Sequence, residues 1–292
     1  MATTGGLAAF DTPNIRRVLV LGAVVGLALG IETVILHLTT DPLADVHAYY
    51  DAGARLNAGL PLYEQPSTTN ENEFYRYPPL LAILFRPLAM LPFNVAAAIW
   101  MTVLFACFAL TIVRLGPRRR STWIALGMLA LPTGWSIVIG QAQVAVTFLT
   151  ALGAPWAIAL GANLKVFPVL IAIWWIGRRD VRSLAWFTGW MAALIAFQVV
   201  LEPANSIAFL QTFGLGQVGE VENRSLYALS PVLWGIAVLA GIVVTWRLAR
   251  TRWGWPAAVA LSVLATPRLL IYMLSTLIAA LREPDPPKDE ET

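Results

Sequence analysis

The chain has 292 residues, 58% of them hydrophobic and only 13% charged, with a mean hydropathy of +0.68. A soluble domain carries about 25% charged residues, so this composition excludes one and points to an all-α polytopic membrane protein. The net charge of +3 and the pI near 9.2 do not indicate nucleic-acid binding, because the basic residues fall in short clusters between apolar runs.

The first span is expected at about 17–38, long enough to cross a bilayer at roughly 20 residues. No small-residue cleavage site follows it, so it reads as a retained helix and not a signal peptide. An acid-rich segment comes next, with Asp41, Asp45, Asp51, Glu64, Glu71 and Glu73 against Arg55 and Arg76. If 43–58 is helical, Tyr49 lies at i+4 from Asp45 and shares its face. Residues 79–92 are apolar but short and contain Arg86. Prolines 78, 79, 87 and 92 bracket them, and they read as an interfacial or re-entrant helix.

A span at about 94–113 follows. Breaks at Gly140-Gln141, Gly153-Ala154-Pro155 and Lys165 to Pro168 divide the next stretch into pieces at about 122–139, 141–153, 155–165 and 167–177. Spans near 183–201, 229–248, 254–265 and 268–281 complete about ten hydrophobic helices, or eight full crossings if short pairs are re-entrant. Residues 1–281 are expected to form one transmembrane domain. The tail 282–292 is charged and proline-rich, the signature of a disordered segment.

Charge orients these pieces. Arg16-Arg17, Arg114 with Arg118 to Arg120, Arg178-Arg179 with Arg182, and Arg247 with Arg250 and Arg252 are expected in the cytoplasm. Both termini then lie inside. The region 39–93 and a second loop at 202–228, with Glu202, Glu220 and Glu222 against Arg224, lie outside.

No GxxxxGK[ST], HExxH, paired-cysteine or GxSxG motif occurs, which argues against an ATP-driven pump and a zinc protease. With His37 and His47 the only histidines, no metal site is expected. A carboxylate at a semi-apolar boundary suits a general base, and Asp45 is the candidate; by itself it reads equally well as a solvated or helix-capping acid. Tyr75 reads as an interfacial anchor. Arg76 and Arg86 suit either a phosphate or a lipid headgroup. Lys165, one of two lysines, stands in an apolar stretch, where an ionisable group marks a functional position; its partner would be a carboxylate or a lipid phosphate. Span parity puts Asp45, Arg76, Gln141, Lys165, Asn223 and Arg268 on one membrane face.

These residues carry a resemblance. Asp45-x3-Tyr49, Gly59-x-Pro61-x-Tyr63, Tyr77-Pro78-Pro79-Leu80, Gly140-Gln141, Lys165-x2-Pro168, Asn223-x-Ser225-Leu226 and Thr266-Pro267-Arg268 occur in that order. Over about 41–280 the chain resembles glycosyltransferase family 87. The resemblance implies a GT-C-like bundle and transfer of a hexose, mannose in typical members, from a polyprenyl-phosphate donor to a lipid or glycan acceptor. It further implies inversion at the sugar, with Asp45 as base. Tyr49, Tyr63, Arg76, Tyr77, Gln141, Lys165, Asn223 and Arg268 would bind substrate, and neither cofactor nor metal would be needed. Two other classes compete. A transporter or flippase of lipid-linked sugars would spread polar residues through span centres and show an inverted repeat. A non-catalytic scaffold of the same fold would keep the architecture alone.

Overall fold

The computed structural model describes residues 13–64, 75–212 and 223–282. Glu71, Glu73, Glu220, Glu222 and the tail beyond Arg282 lie outside the described residues. All regular structure among the described residues is helical. In chain order the α-helices are α1 (Pro13–Thr40), α2 (Ala44–Asn57), α3 (Pro79–Phe85), α4 (Phe93–Leu115), α5 (Arg120–Met128) and α6 (Ala130–Val138). There follow α7 (Gln143–Leu152), α8 (Pro155–Leu164), α9 (Ala172–Arg178), α10 (Val181–Leu201), α11 (Pro203–Thr212), α12 (Leu226–Leu229), α13 (Pro231–Leu248) and α14 (Gly254–Leu264). Tight 3₁₀ turns occupy Leu88–Met90 and Phe167–Ile171, and a longer one runs through Ile271–Leu281.

Two length classes stand out. Four helices, α1, α4, α10 and α13, are long and apolar enough to cross a membrane, and a fifth crossing results if α5 and α6 are one broken span. The other apolar elements are short. α7 and α8 have ten residues each, about 15 Å at 1.5 Å per residue. The roughly ten expected pieces are therefore present, but only four or five have the length of a full crossing. Three of the long helices bury little: 6% of the α1 window, 11% for α10 and 6% for α13, against 28% for α4. Such apolar surface is suited to lipid. The buried core instead lies among α2, α3, α4, α7 and α8, with a second cluster around Trp174, Trp175 and Trp255.

Local chemistry explains the breaks. The expected continuous piece at 122–139 is bent by 55° between α5 and α6. Pro132 sits one turn beyond the bend. Its nitrogen has no hydrogen for the Met128 carbonyl, and its ring crowds that carbonyl. α3 begins with Pro79 at its first position, where a missing N–H costs nothing. It ends at Phe85, so residues 79–92 form a short helix followed by a turn, as their length required. The expected 268–281 helix instead starts at Ile271 and winds as a 3₁₀ helix. Its Ser275 and the Tyr272 carbonyl meet the Ser136 hydroxyl at 3.3 and 3.0 Å, and Thr276 meets Gln143 and Thr147 at 2.6 and 2.9 Å.

Close approach needs small residues. On α1, Gly26 and Gly30 lie against α5 and α6; a Cβ at Gly26 would stand 2.5 Å from the Gly127 carbonyl oxygen. α2 is seated at the α6–α7 break by backbone alone. The N–H groups of Leu43 and Asp45 donate to the carbonyls of Val138 and Ile139 at 3.3 and 3.1 Å. Leu43 takes the left-handed φ of 62°, unusual for a branched side chain, and this turns the chain from α1 into α2. Opposite it, Gly140 has φ 71°, and a Cβ there would lie 2.1 Å from Val46 Cγ2.

Candidate active site

Asp45 lies in the first turn of α2 and faces the α6–α7 break. It is half-buried, so it keeps a path to a substrate. Tyr77, just before α3, brings its hydroxyl to 3.2 Å from Asp45 Oδ1. Tyr49, fully buried one turn along α2, lies 3.3 Å from the same oxygen and 2.5 Å from Gln141 Oε1. Gln141 Nε2 donates to the Tyr77 oxygen at 3.1 Å, and the Ala142 N–H donates to the Tyr49 oxygen at 3.2 Å.

Counting protons orders this network. Each tyrosine has one O–H. Tyr49 has its shorter contact with Gln141, which leaves Tyr77 as the donor to Asp45. The resulting relay runs from Ala142 N–H through Tyr49, Gln141 and Tyr77 to the carboxylate. Every buried polar member is satisfied, as such networks require. Burial raises Asp45 from the usual carboxylate range to about 6, against the opposing pull of the Lys165 charge and the hydrogen bonds from Tyr77, Tyr49 and Gln141.

Lys165 ends α8. Its ammonium nitrogen is buried and has no hydrogen-bond partner among the described residues. Two rings hold it instead: Nζ lies 5.0 Å from the centroid of Tyr77 and 5.1 Å from that of Tyr272. Its charge acts on Asp45, yet among the described residues no carboxylate oxygen comes within 4.0 Å of it. Arg268, between α14 and the last 3₁₀ helix, has a buried Nε with no partner among the described residues. Its charge reaches Tyr272, whose hydroxyl is brought to that of Tyr77. Two cations with unfilled hydrogen-bonding capacity thus flank Tyr272, near a carboxylate. That arrangement can receive an anion.

The other expected residues support the cluster from behind. Tyr63 donates to the Tyr77 carbonyl at 2.8 Å and so fixes the backbone that carries Tyr77. Asn223 accepts from the Leu269 N–H at 3.0 Å and donates to the Pro267 carbonyl at 2.9 Å. It therefore brackets Arg268. Tyr63 and Asn223 thus make positioning contacts, and both are half-buried. Arg76 is half-buried and immediately precedes Tyr77.

Sequence reasoning missed Tyr272 and Gln198. Gln198, buried on α10, accepts from the Leu80 N–H at 2.9 Å and donates to Asn163 Oδ1 at 2.7 Å. Leu80 follows Tyr77 by three residues and Asn163 precedes Lys165 by two, so one side chain sets the separation of the two walls. A polar residue inside an apolar span was the available signal for Gln198. Tyr272 offered no such signal, because an aromatic residue in an apolar element reads as core.

Comparison with known proteins adds an independent finding. The sequence pattern that defines glycosyltransferase family 87 matches residues 74–281, more than half of the chain. The match contains Tyr77, Gln141, Lys165, Asn223, Arg268 and Tyr272, and it begins after α2. A polyprenol-phosphate-mannose-dependent alpha-(1-2)-phosphatidylinositol pentamannoside mannosyltransferase of Mycolicibacterium smegmatis is 27% identical, with 72% of this chain and 58% of that protein covered. A protein of the same description from Mycobacterium tuberculosis is 25% identical, with 72% and 56% covered. The chain thus spans a little over half the length of these relatives. No solved structure matches it.

Proposed function

We propose, since the chain belongs to glycosyltransferase family 87, that it is a membrane hexosyltransferase taking mannose from a polyprenyl-phosphate donor. The acceptor would be a lipid or a glycan. One observation carries the reading. A carboxylate held by a tyrosine–glutamine relay stands beside a buried ammonium that has aromatic neighbours but no hydrogen-bond partner among the described residues.

The chemistry follows from that arrangement. The carboxylate of Asp45 takes the proton of an acceptor hydroxyl as its oxygen attacks the anomeric carbon of the donor. The bond from that carbon to the phosphate oxygen breaks on the opposite face, which inverts the centre. The phosphate leaves with the electron pair, and Lys165 and Arg268 meet its developing charge. Asp45 ends the step protonated. The Tyr77 hydroxyl holds the carboxylate oriented, which limits the reorganisation needed during the reaction.

Charge supports a cytoplasmic position for both termini and an outer position for Asp45. The basic ends of α9 and α13 meet one another, with Arg250 Nε donating to the Gly177 carbonyl at 3.4 Å. Asp45, Gln141, Lys165 and Arg268 gather near the opposite ends of α6, α8 and α14. Positive-inside loops support an outer position for the cluster.

The experiment is direct. Purified protein in nanodiscs is given labelled polyprenyl-phosphate mannose with a panel of phosphatidylinositol mannosides and other lipid acceptors. Labelled mannolipid should form with wild type and not with Asp45→Asn. Absence of transfer to every acceptor would remove the enzymatic reading.

A further inference from the structure

A second set of polar and aromatic groups adjoins the Asp45 cluster and has no task in the mechanism. It forms where the C-terminal end of α1 meets α6. The ring of His37 stacks on Trp135, with centroids 4.9 Å apart and planes 28° from parallel. His37 Nδ1 lies 2.6 Å from Asp41 Oδ1, and the Thr40 hydroxyl donates to the same oxygen at 2.7 Å. Trp135 makes an edge contact with Tyr272, centroids 6.2 Å apart at 71°. Tyr272 is the ring beside the Lys165 ammonium. The strip therefore runs from Lys165 through Tyr272 and Trp135 to His37 and Asp41. Only the turn at Pro42–Leu43 separates Asp41 from Ala44 and Asp45, and the Ala44 N–H bonds back across it to the Asp41 carbonyl at 3.4 Å.

A helix end accounts for part of this. An imidazole in the last turn and a carboxylate one turn on can brace each other at i, i+4. Bracing alone does not require the ring to lie flat on a half-buried tryptophan. Nor does it fill the other ring nitrogen. With Nδ1 committed to Asp41, Nε2 has no hydrogen-bond partner among the described residues, and the His37 side chain is only 13% exposed. Asp41, at 37%, still offers its second oxygen.

We propose that His37, Asp41 and Trp135 form a subsite for a sugar ring next to Asp45, an inference that rests on the glycosyltransferase reading. A pyranose presents apolar C–H edges and adjacent hydroxyls. The C–H edge packs on aromatic surface, here Trp135 and Tyr272. A hydroxyl both donates and accepts, so it can serve Nε2 in either protonation state while a neighbouring hydroxyl donates to Asp41. The sugar ring has two sources, the donor and the acceptor.

Steady-state kinetics on the intact chain in nanodiscs separate them, with octyl α-mannoside as acceptor and polyprenyl-phosphate mannose as donor. The variants are Trp135→Leu, His37→Ala and the conservative His37→Gln, whose amide reaches toward the place of Nε2. An acceptor subsite raises KM for octyl α-mannoside about tenfold in the first two, as expected for lost aromatic packing at Trp135 and a lost hydrogen bond at His37. Donor hydrolysis to water stays unchanged, and His37→Gln recovers most of the loss. A donor subsite raises KM for the donor in both transfer and hydrolysis. Unchanged KM for both substrates, or a fall in kcat alone that His37→Gln does not rescue, would overturn the proposal. Saturation-transfer NMR with octyl α-mannoside on Asp45→Asn protein tests the subsite without turnover. Sugar signals that vanish in Trp135→Leu uphold it even if no transfer is ever seen; signals equal in both proteins would overturn it.

Discussion

At the scale of single residues, Tyr49 has two acceptors and one proton. It serves Gln141 at 2.5 Å and only faces Asp45 at 3.3 Å, so Tyr77 is the hydroxyl that holds the carboxylate. The base works only as the carboxylate, and burial holds its ionisation at about 6. The acid limb of kcat/KM is therefore expected to rise with pH through about 6 and level off above it. Tyr77→Phe removes a donor that favours the carboxylate, so the limb should move to higher pH. Lys165→Met removes an attracting charge, which moves the limb the same way and also raises KM for the donor. A shift to lower pH in either variant would contradict the role given to Asp45. Asp45→Asn should lower kcat by about 10²–10⁴, the usual worth of a positioned base, with unchanged elution from a sizing column. Asp45, Gln141 and Lys165 were legible in the sequence because polar residues are conspicuous among apolar ones. Tyr272 was not, because an aromatic residue in an apolar element reads as core. Its place beside Lys165 exists only after the last 3₁₀ helix folds back onto α6 and α7.

At the scale of elements, the breaks matter as much as the helices. Gly140, Gly153 and the Lys165–Pro168 stretch were readable as interruptions from residue type alone. The bend at Leu129 was also written in the sequence, through Pro132, but apolar continuity masked it. The 3₁₀ winding of Ile271–Leu281 left no such mark, since it depends on Ser136, Gln143 and Thr147 contacts from other helices. Gly140→Ala should test the seat of α2. An alanine there bears about 1–2 kcal/mol for the left-handed backbone and collides with Val46. The expected result is a lower melting temperature in detergent together with reduced transfer; Val46→Ala added to it should recover only the steric part. Gln198→Leu should leave the apolar span intact but free the Leu80 N–H and Asn163. Turnover is expected to fall about tenfold or more, in keeping with the sensitivity of rates to small misplacements. Wild-type turnover in that variant would remove Gln198 from the positioning role.

At the scale of the whole molecule, orientation decides what the cluster can meet. Cys107 is the sole cysteine, so Cys107→Ser supplies a clean background. A cysteine placed at Glu64 should react with an impermeant maleimide in intact cells, and one placed at Arg119 should react only after the membrane is opened. The reverse pattern would put the cluster in the cytoplasm and end the outer-face reading. Composition made the membrane class legible, and arginine placement supplies the orientation that this labelling would test; the difference between long and short helices came only from the fold. That difference bears on the bilayer. Spans of 18 to 28 residues reach about 27–42 Å, whereas α7 and α8 reach about 15 Å. A slab of uniform hydrocarbon thickness cannot match both. Most of α7 and α8 is buried among other helices, so the long spans meet the lipid while the short elements stop inside the protein near Gln141 and Lys165. Turnover is then expected to vary with acyl-chain length, through the depth at which the long spans hold these short elements.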